Sequence, residues 1–163
     1  QLTNQLRDVP GDARSLELRS DSYFELGNYD LGLKDLNDAI SGSFEQYKLL
    51  NKRAAYFESI KNYESAFDDV YRSIKIESVS NVEAYFIRGT ILSGQAKYKD
   101  AIKDFERVLK IDHAHYKSYY NIGVCCAFLG EREKACKNFE LAKLWGGDKC
   151  ADMFHLLCDP GIW

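Results

Sequence analysis

Proline is almost missing from this chain: Pro10 and Pro160 are the two present, and both stand near the ends. Proline removes a backbone donor and clashes with the preceding turn, so an interior without it reads as mostly helical. Cysteine is absent before Cys125, and the five that follow (Cys125, Cys126, Cys136, Cys150, Cys158) are too one-sided to be a disulfide framework. No basic run occurs. Lys and Arg number 22 against 25 Asp and Glu, for a net charge of −3, which excludes the electrostatic footprint of a nucleic-acid or acidic-membrane binder. The longest uncharged stretch, Ser118 to Gly130, falls short of the roughly 20 residues a membrane-spanning helix needs. No signal-like segment is present, and Gln1 in place of Met fits either a trimmed chain or one whose export signal has been removed, leaving cytoplasmic and exported locations both open.

What the chain does have is apolar material, 45% of its 163 residues, enough for one domain, and a strong internal repeat. Gly32, Ala66, Ala101 and Ala135 stand 34, 35 and 34 residues apart. Leu36, Val70, Phe105 and Phe139 follow them in the same register, as do Ala39, Ser73, Val108 and Ala142. Small residues also recur upstream at Ser20, Ala54, Gly89 and Gly123, with Leu16, Leu50, Tyr85 and Tyr119 before them and Tyr23, Phe57, Leu92 and Cys126 after. Large residues at helical spacing and small ones at fixed points predict two helices per repeat, crossing closely at the small residues. Polar turns separate the helices at Gly27-Asn28, Lys61-Asn62, Gln95-Ala96-Lys97 and Gly130-Glu131, and Tyr29, Tyr63 and Tyr98 open three of the second helices. Asp12 is a candidate N-cap for the first helix.

This small–aromatic–small pattern resembles the tetratricopeptide-repeat (TPR) family, with repeats at 13–46, 47–81, 82–115 and 116–149. The family often carries a proline just after the second helix; here Phe44, Ser78, His113 and Gly147 stand in its place. The expected fold is therefore an all-α, right-handed superhelical solenoid of antiparallel helix pairs. Residues 150–163 supply a capping helix, read from CADMFHLLC, and a tail; residues 1–12 are an N-terminal segment or the remnant of an earlier helix.

The resemblance implies a concave groove lined by the first helix of each repeat and occupied by a partner's peptide or helix. The groove residues it selects are Arg14, Glu17, Leu18, Asp21 and Phe24 in the first repeat, and Lys48, Asn51, Lys52 and Ala55 in the second. Phe86, Ile87 and Thr90 follow in the third, and Lys117, Tyr120, Asn121, Val124 and Phe128 in the fourth. The aromatics and Ile87 have no core slot in the repeat and read as anchors, and the lysines and Asn51 and Asn121 as donors to a peptide; the simpler alternative is that the aromatics pack on neighbouring helices. The carboxylate clamp of the family's chaperone-binding members is not assembled in either register. One register gives Glu17, Asp21, Lys52, Glu83 and Ile87, the other Asn51, Ala55, Ile87, Lys117 and Asn121.

Little in the chain suggests catalysis. The Asp112-His113-Ala114-His115 run sits at a turn, where alternate residues do not converge, and His155 has no cysteine placed beside it. Asp68-Asp69 reads as a solvated helix face. No metal, cofactor or catalytic residue is expected. Cys136 begins one helix and Cys158 ends the next, antiparallel one, so they are either a disulfide or two buried thiols, the thiols slightly preferred. The functional expectation is a non-catalytic protein-binding scaffold; the alternatives are a self-associating structural module and an accessory domain of a larger protein.

Overall fold

A computed structural model describes residues 12–146 and Cys158. Among the described residues there are eight α-helices and no strand, the expected all-α class. They are α1 (Ala13–Glu25), α2 (Tyr29–Gly42), α3 (Gln46–Ser59), α4 (Tyr63–Ile76), α5 (Val82–Gly94), α6 (Tyr98–Ile111), α7 (Tyr116–Phe128) and α8 (Arg132–Gly146). They divide into two units, Gln1–Ser78 with α1 to α4 and Val79–Trp163 with α5 to α8. The segment 1–11 and the expected capping helix, apart from Cys158, lie outside the described residues.

Local chemistry sets the helix ends. Asp12 caps α1 as the sequence predicts, its carboxylate accepting from the Ser15 N–H at 2.9 Å. Asn62 caps α4 through the Ser65 N–H and Asn81 caps α5 through the Ala84 N–H. Each turn between paired helices needs one left-handed residue: Gly27 (φ 74°), Lys61 (φ 60°), Ala96 (φ 58°) and Gly130 (φ 76°). Glycine adopts this backbone freely, whereas Lys61 and Ala96 hold it at a steric cost.

Paired helices meet where side chains are missing. A Cβ on Gly89 would lie 2.6 Å from the Phe105 ring, and one on Gly123 would lie 2.7 Å from Phe139. Both rings are wholly buried. In the first repeat the roles are exchanged, with the Phe24 ring of α1 seated over Gly32 of α2. Around these contacts Leu16, Leu36, Ala39, Leu49 and Leu50 form one core, in the first unit. Ala101, Phe105, Ile122, Cys125, Cys126 and Phe139 form another, in the second. Cys136 and Cys158 are joined as a disulfide with Cα atoms 5.6 Å apart, and Cys158 packs against this second core; the pair of free thiols preferred above is not what the structure shows. Cys125 and Cys126 are free and buried.

A second periodic feature crosses each of the first three helix pairs. Arg19, Arg53 and Arg88 each donate two hydrogen bonds, Nε and Nη2, to Asp35, Asp69 and Asp104, at 2.5 to 2.7 Å. Asp69 is therefore not part of a solvated acidic face: it is 2% exposed, while Asp68 beside it is open to water. A two-pronged guanidinium–carboxylate pair fixes both distance and rotation between helices.

Two stability measurements follow. Asp69→Ala strands a half-buried guanidinium and lowers unfolding free energy by about 3 kcal/mol, whereas Arg53→Met with Asp69→Leu costs under about 1 kcal/mol, both read by urea denaturation. Ala96→Gly removes the left-handed penalty and raises stability by about 1 kcal/mol in the same assay.

Candidate functional site

The expected groove residues stand on α1 and α3 in the first unit and on α5 and α7 in the second.

On the first unit, charge dominates. Lys52 of α3 reaches across to α1, its Nζ donating to Glu17 at 3.0 Å and to Asp21 at 2.7 Å. Burial pushes the Glu17 carboxyl up, but Lys52 and Arg14 outweigh it and hold the group below its ordinary value. Arg14 itself bonds Glu17 at 2.9 Å, and Lys48 bonds Glu45. These cations are thus neutralised within the unit. Asn51 does not face solvent: it is 1% exposed, and its Oδ1 accepts the Ser73 hydroxyl. It occupies the register of Phe86 and Tyr120, so a polar pair fills the place that aromatics fill in the later repeats. Phe24 stacks on Tyr56 with centroids 4.7 Å apart, and Tyr29 joins the cluster at 5.8 Å. Ala55 is half-buried and Leu18 exposed.

The second unit is more apolar. Ile87 is a core residue rather than an anchor, 5% exposed. Phe86 and Tyr120 are half-buried; each ring lies 5.7 Å from a buried phenylalanine, Phe105 and Phe139 respectively. Val124 also packs against the core. The expectation that Phe24, Phe86, Ile87 and Tyr120 lack a core slot is therefore corrected. Their register borders the helix-pair crossing, where the partner helix presents a ring or a glycine. Thr90 is half-buried and turns its hydroxyl to the Ile87 carbonyl.

Phe128 is different. Its ring is 68% exposed, yet it stacks on Tyr98 with centroids 5.0 Å apart and planes only 4° from parallel. Lys117 and Asn121 lie on the same side of α7, at helical spacing from Phe128. Lys117 is exposed and makes no ion pair among the described residues. The Tyr98 contact was not anticipated from the sequence; the turn position of Tyr98, next to the turn that ends α7, was the available signal.

The Asp112–His115 turn is occupied with its own bonds. Asp112 accepts from the Ala114 N–H, His115 Nδ1 meets the Ser118 hydroxyl, and the His113 ring stands edge-on to Trp145. Among the described residues no group of three or more His, Cys, Asp or Glu is placed to hold a metal, and no helix is long and apolar enough to cross a membrane.

A Tetratricopeptide repeat family model matches residues 82–115 and 116–145, and known TPR structures superimpose on most of the chain. Two repeats of the chain match the tetratricopeptide-repeat (TPR) family, and its helix pairs have the TPR fold. Among solved structures, MamA from Desulfovibrio magneticus RS-1 has a TM-score of 0.77 at 18% identity, covering 91% of this chain and 85% of that one. YrrB, described as a TPR protein with an unusual peptide-binding site, has a TM-score of 0.73 at 21% identity, covering 89% and 75%. Among curated proteins, the human Intraflagellar transport protein 88 homolog is 32% identical over 92 residues, 55% of this chain and 10% of the relative. Stress-induced-phosphoprotein 1 of Caenorhabditis elegans is 22% identical over 153 residues, 94% of this chain and 45% of the relative. The chain thus spans a tenth to under half the length of these curated relatives. Its fold is one that supports protein–protein interaction scaffolds.

The site also yields a pH dependence. Burial against Phe86 holds the His115 imidazole below its ordinary value; Asp112 opposes this and Lys117 reinforces it. The unfolded chain therefore takes up the proton first. Stability from this group is present above about pH 6.5 and is lost as pH falls through the lowered folded value. Denaturation of His115→Asn between about pH 7.5 and 5 will show a shallower loss than the unaltered protein.

Proposed function

We propose that this TPR protein is a non-catalytic scaffold that holds a peptide segment of a partner protein along the exposed side of α7. The observation that carries the reading is the Tyr98–Phe128 stack: a large aromatic surface, open to water and held in place, on the same side of α7 as the exposed Lys117. Rigid aromatic anchors lose little entropy on binding and dominate interface energy. Lys117 and Phe128 are separated by roughly 16 Å of helix rise, the length of about five extended residues. Asn121 and Val124 lie between them, offering one amide and one apolar contact. The chosen partner is a short extended segment with an apolar residue toward one end and a carboxylate toward the other.

The first unit contributes differently in this reading. Lys52 already serves two carboxylates, so that face is not a receiver of C-terminal carboxylates, and a chaperone clamp is not proposed there. No nucleic acid, cofactor or membrane insertion enters the reading. The peptide-binding site ascribed to YrrB lends the same class of activity to this fold.

Peptides selected from a displayed random library against the whole chain provide the test. Phe128→Ala and Lys117→Glu, with unchanged helicity by circular dichroism, are expected to weaken the selected peptides about tenfold each, near 1.4 kcal/mol. Equal binding by both variants overturns the reading. A discrete homo-oligomer that Phe128→Ala dissolves, with no peptide selected, places self-association first instead.

A further inference from the structure

The fourth repeat breaks the arginine–aspartate series. Ile122 and Asn138 stand where Arg88 and Asp104 stand one repeat earlier. In the first unit the equivalent place is plugged: Arg53 bonds Asp69 of α4 through two nitrogens and Asn37 of α2 through the third. In the second unit Glu106 takes the register of Asn37, and a cleft of about 580 Å³ opens between α6 and α8 above α7. Its floor is apolar, from Ile102, Leu109, Ile122, Cys126 and Leu141. Volumes of roughly 300–1,000 Å³ suit a specific ligand contact.

The charge around the cleft is uneven. Lys99, Lys134 and Lys137 line it and all belong to the first two turns of α6 and α8, so they gather at one end. Lys134 is engaged by Glu131 at 2.8 Å, while Lys99 and Lys137 make no ion pair among the described residues. Two helix N-termini add partial positive charge at the same end. Glu106 stands two turns further along α6 than Lys99. The Ile122–Cys126–Leu129 stripe of α7 is also separate from the Lys117–Asn121–Phe128 side.

We propose that this cleft docks an amphipathic helical segment of a partner protein, its apolar stripe on the Ile102–Ile122–Leu141 floor and its acidic residues against Lys99 and Lys137. Ile122 is the residue that makes the site, because in the first unit an arginine in its place, Arg53, fills the equivalent position. Helix-in-groove recognition needs an apolar trough and a rim charge that sets direction, and both are present. The site stands apart from the peptide-holding side of α7, so the two are testable independently.

The probe is a fluorescein-labelled synthetic helix of about 18 residues, with leucines at the i, i+3, i+4 and i+7 positions and glutamates elsewhere. A lysine version of the same helix and a scrambled acidic version serve as controls, all read by anisotropy on the whole chain. The acidic helix is expected to bind at least about tenfold more tightly than either control. Ile122→Arg with Asn138→Asp, which restores the pair of the other repeats, is expected to weaken it at least tenfold, and Phe128→Ala to leave it unchanged. Lys99→Glu with Lys137→Glu alters surface residues alone, so it decides the matter should the buried pair fail to fold; it is expected to reverse the preference toward the lysine helix. Binding that ignores both double variants, equal binding of the scrambled helix, or preference of the unaltered protein for the lysine helix overturns the proposal. So does a concentration-dependent dimer that the Ile122→Arg, Asn138→Asp chain no longer forms, since the occupant is then a second copy.

Discussion

The structure depends on one steric constraint: in three of the four helix pairs a large ring of one helix sits where the other presents a glycine. Phe105 over Gly89 and Phe139 over Gly123 leave no room for even one added carbon. Protein interiors are packed to crystal density, so this contact fixes how closely the two helix axes approach. Everything else follows from that spacing. The left-handed turn residue has to reverse the chain over a fixed short gap, and the arginine of the first helix has to find an aspartate 16 residues later within its two-pronged reach. The first repeat shows that the constraint concerns volume rather than residue identity. There Phe24 comes from the first helix and Gly32 from the second, while Ser20 and Leu36 hold the register of Gly89 and Phe105.

That constraint is also why the fold was legible. Small and large residues at a period near 34 are the one-dimensional record of the crossings, and turn chemistry and the Asp12 cap are local. The candidate site was less legible for a definite reason. Phe86 and Tyr120 lie on the border between the two faces of a helix, and their burial is decided by what the paired helix places opposite them, here Phe105 and Phe139. Asn51 shares their register but faces Ser73, so it is buried as half of a hydrogen-bonded pair. A face assigned from one helix's spacing sees none of these partners. Asp69 was misread for another reason: its charge was weighed against its neighbour Asp68, when the same period that locates Ala66 also aligns Asp35, Asp69 and Asp104.

Once packing claims those positions, the residues left to vary carry whatever individuality the chain has. The first unit spends its charges on itself: Lys52 bridges Glu17 and Asp21, and Arg53 bridges Asp69 and Asn37. Bonds made within the unit leave little unmet demand for a partner, since displacing them costs as much as the new contact returns. In the second unit the same register positions hold residues that cannot satisfy one another. Ile122 offers nothing to Glu106 or Asn138, Lys117 meets no carboxylate among the described residues, and Phe128 stacks on Tyr98 while 68% exposed.

A repeat protein therefore creates surface by breaking its own rule at a position the core does not need. The Gly123–Phe139 seat keeps the fourth helix pair in place, so replacing the arginine–aspartate pair removes an orienting contact without removing the spacing. Exposed apolar area that a folded chain tolerates in this way carries a standing cost in water, and occupancy by another molecule is what relieves it. The contrast between Arg53, bonded on two sides in the first unit, and Ile122, open in the second, thus follows from residue identities at aligned positions rather than from the fold they share.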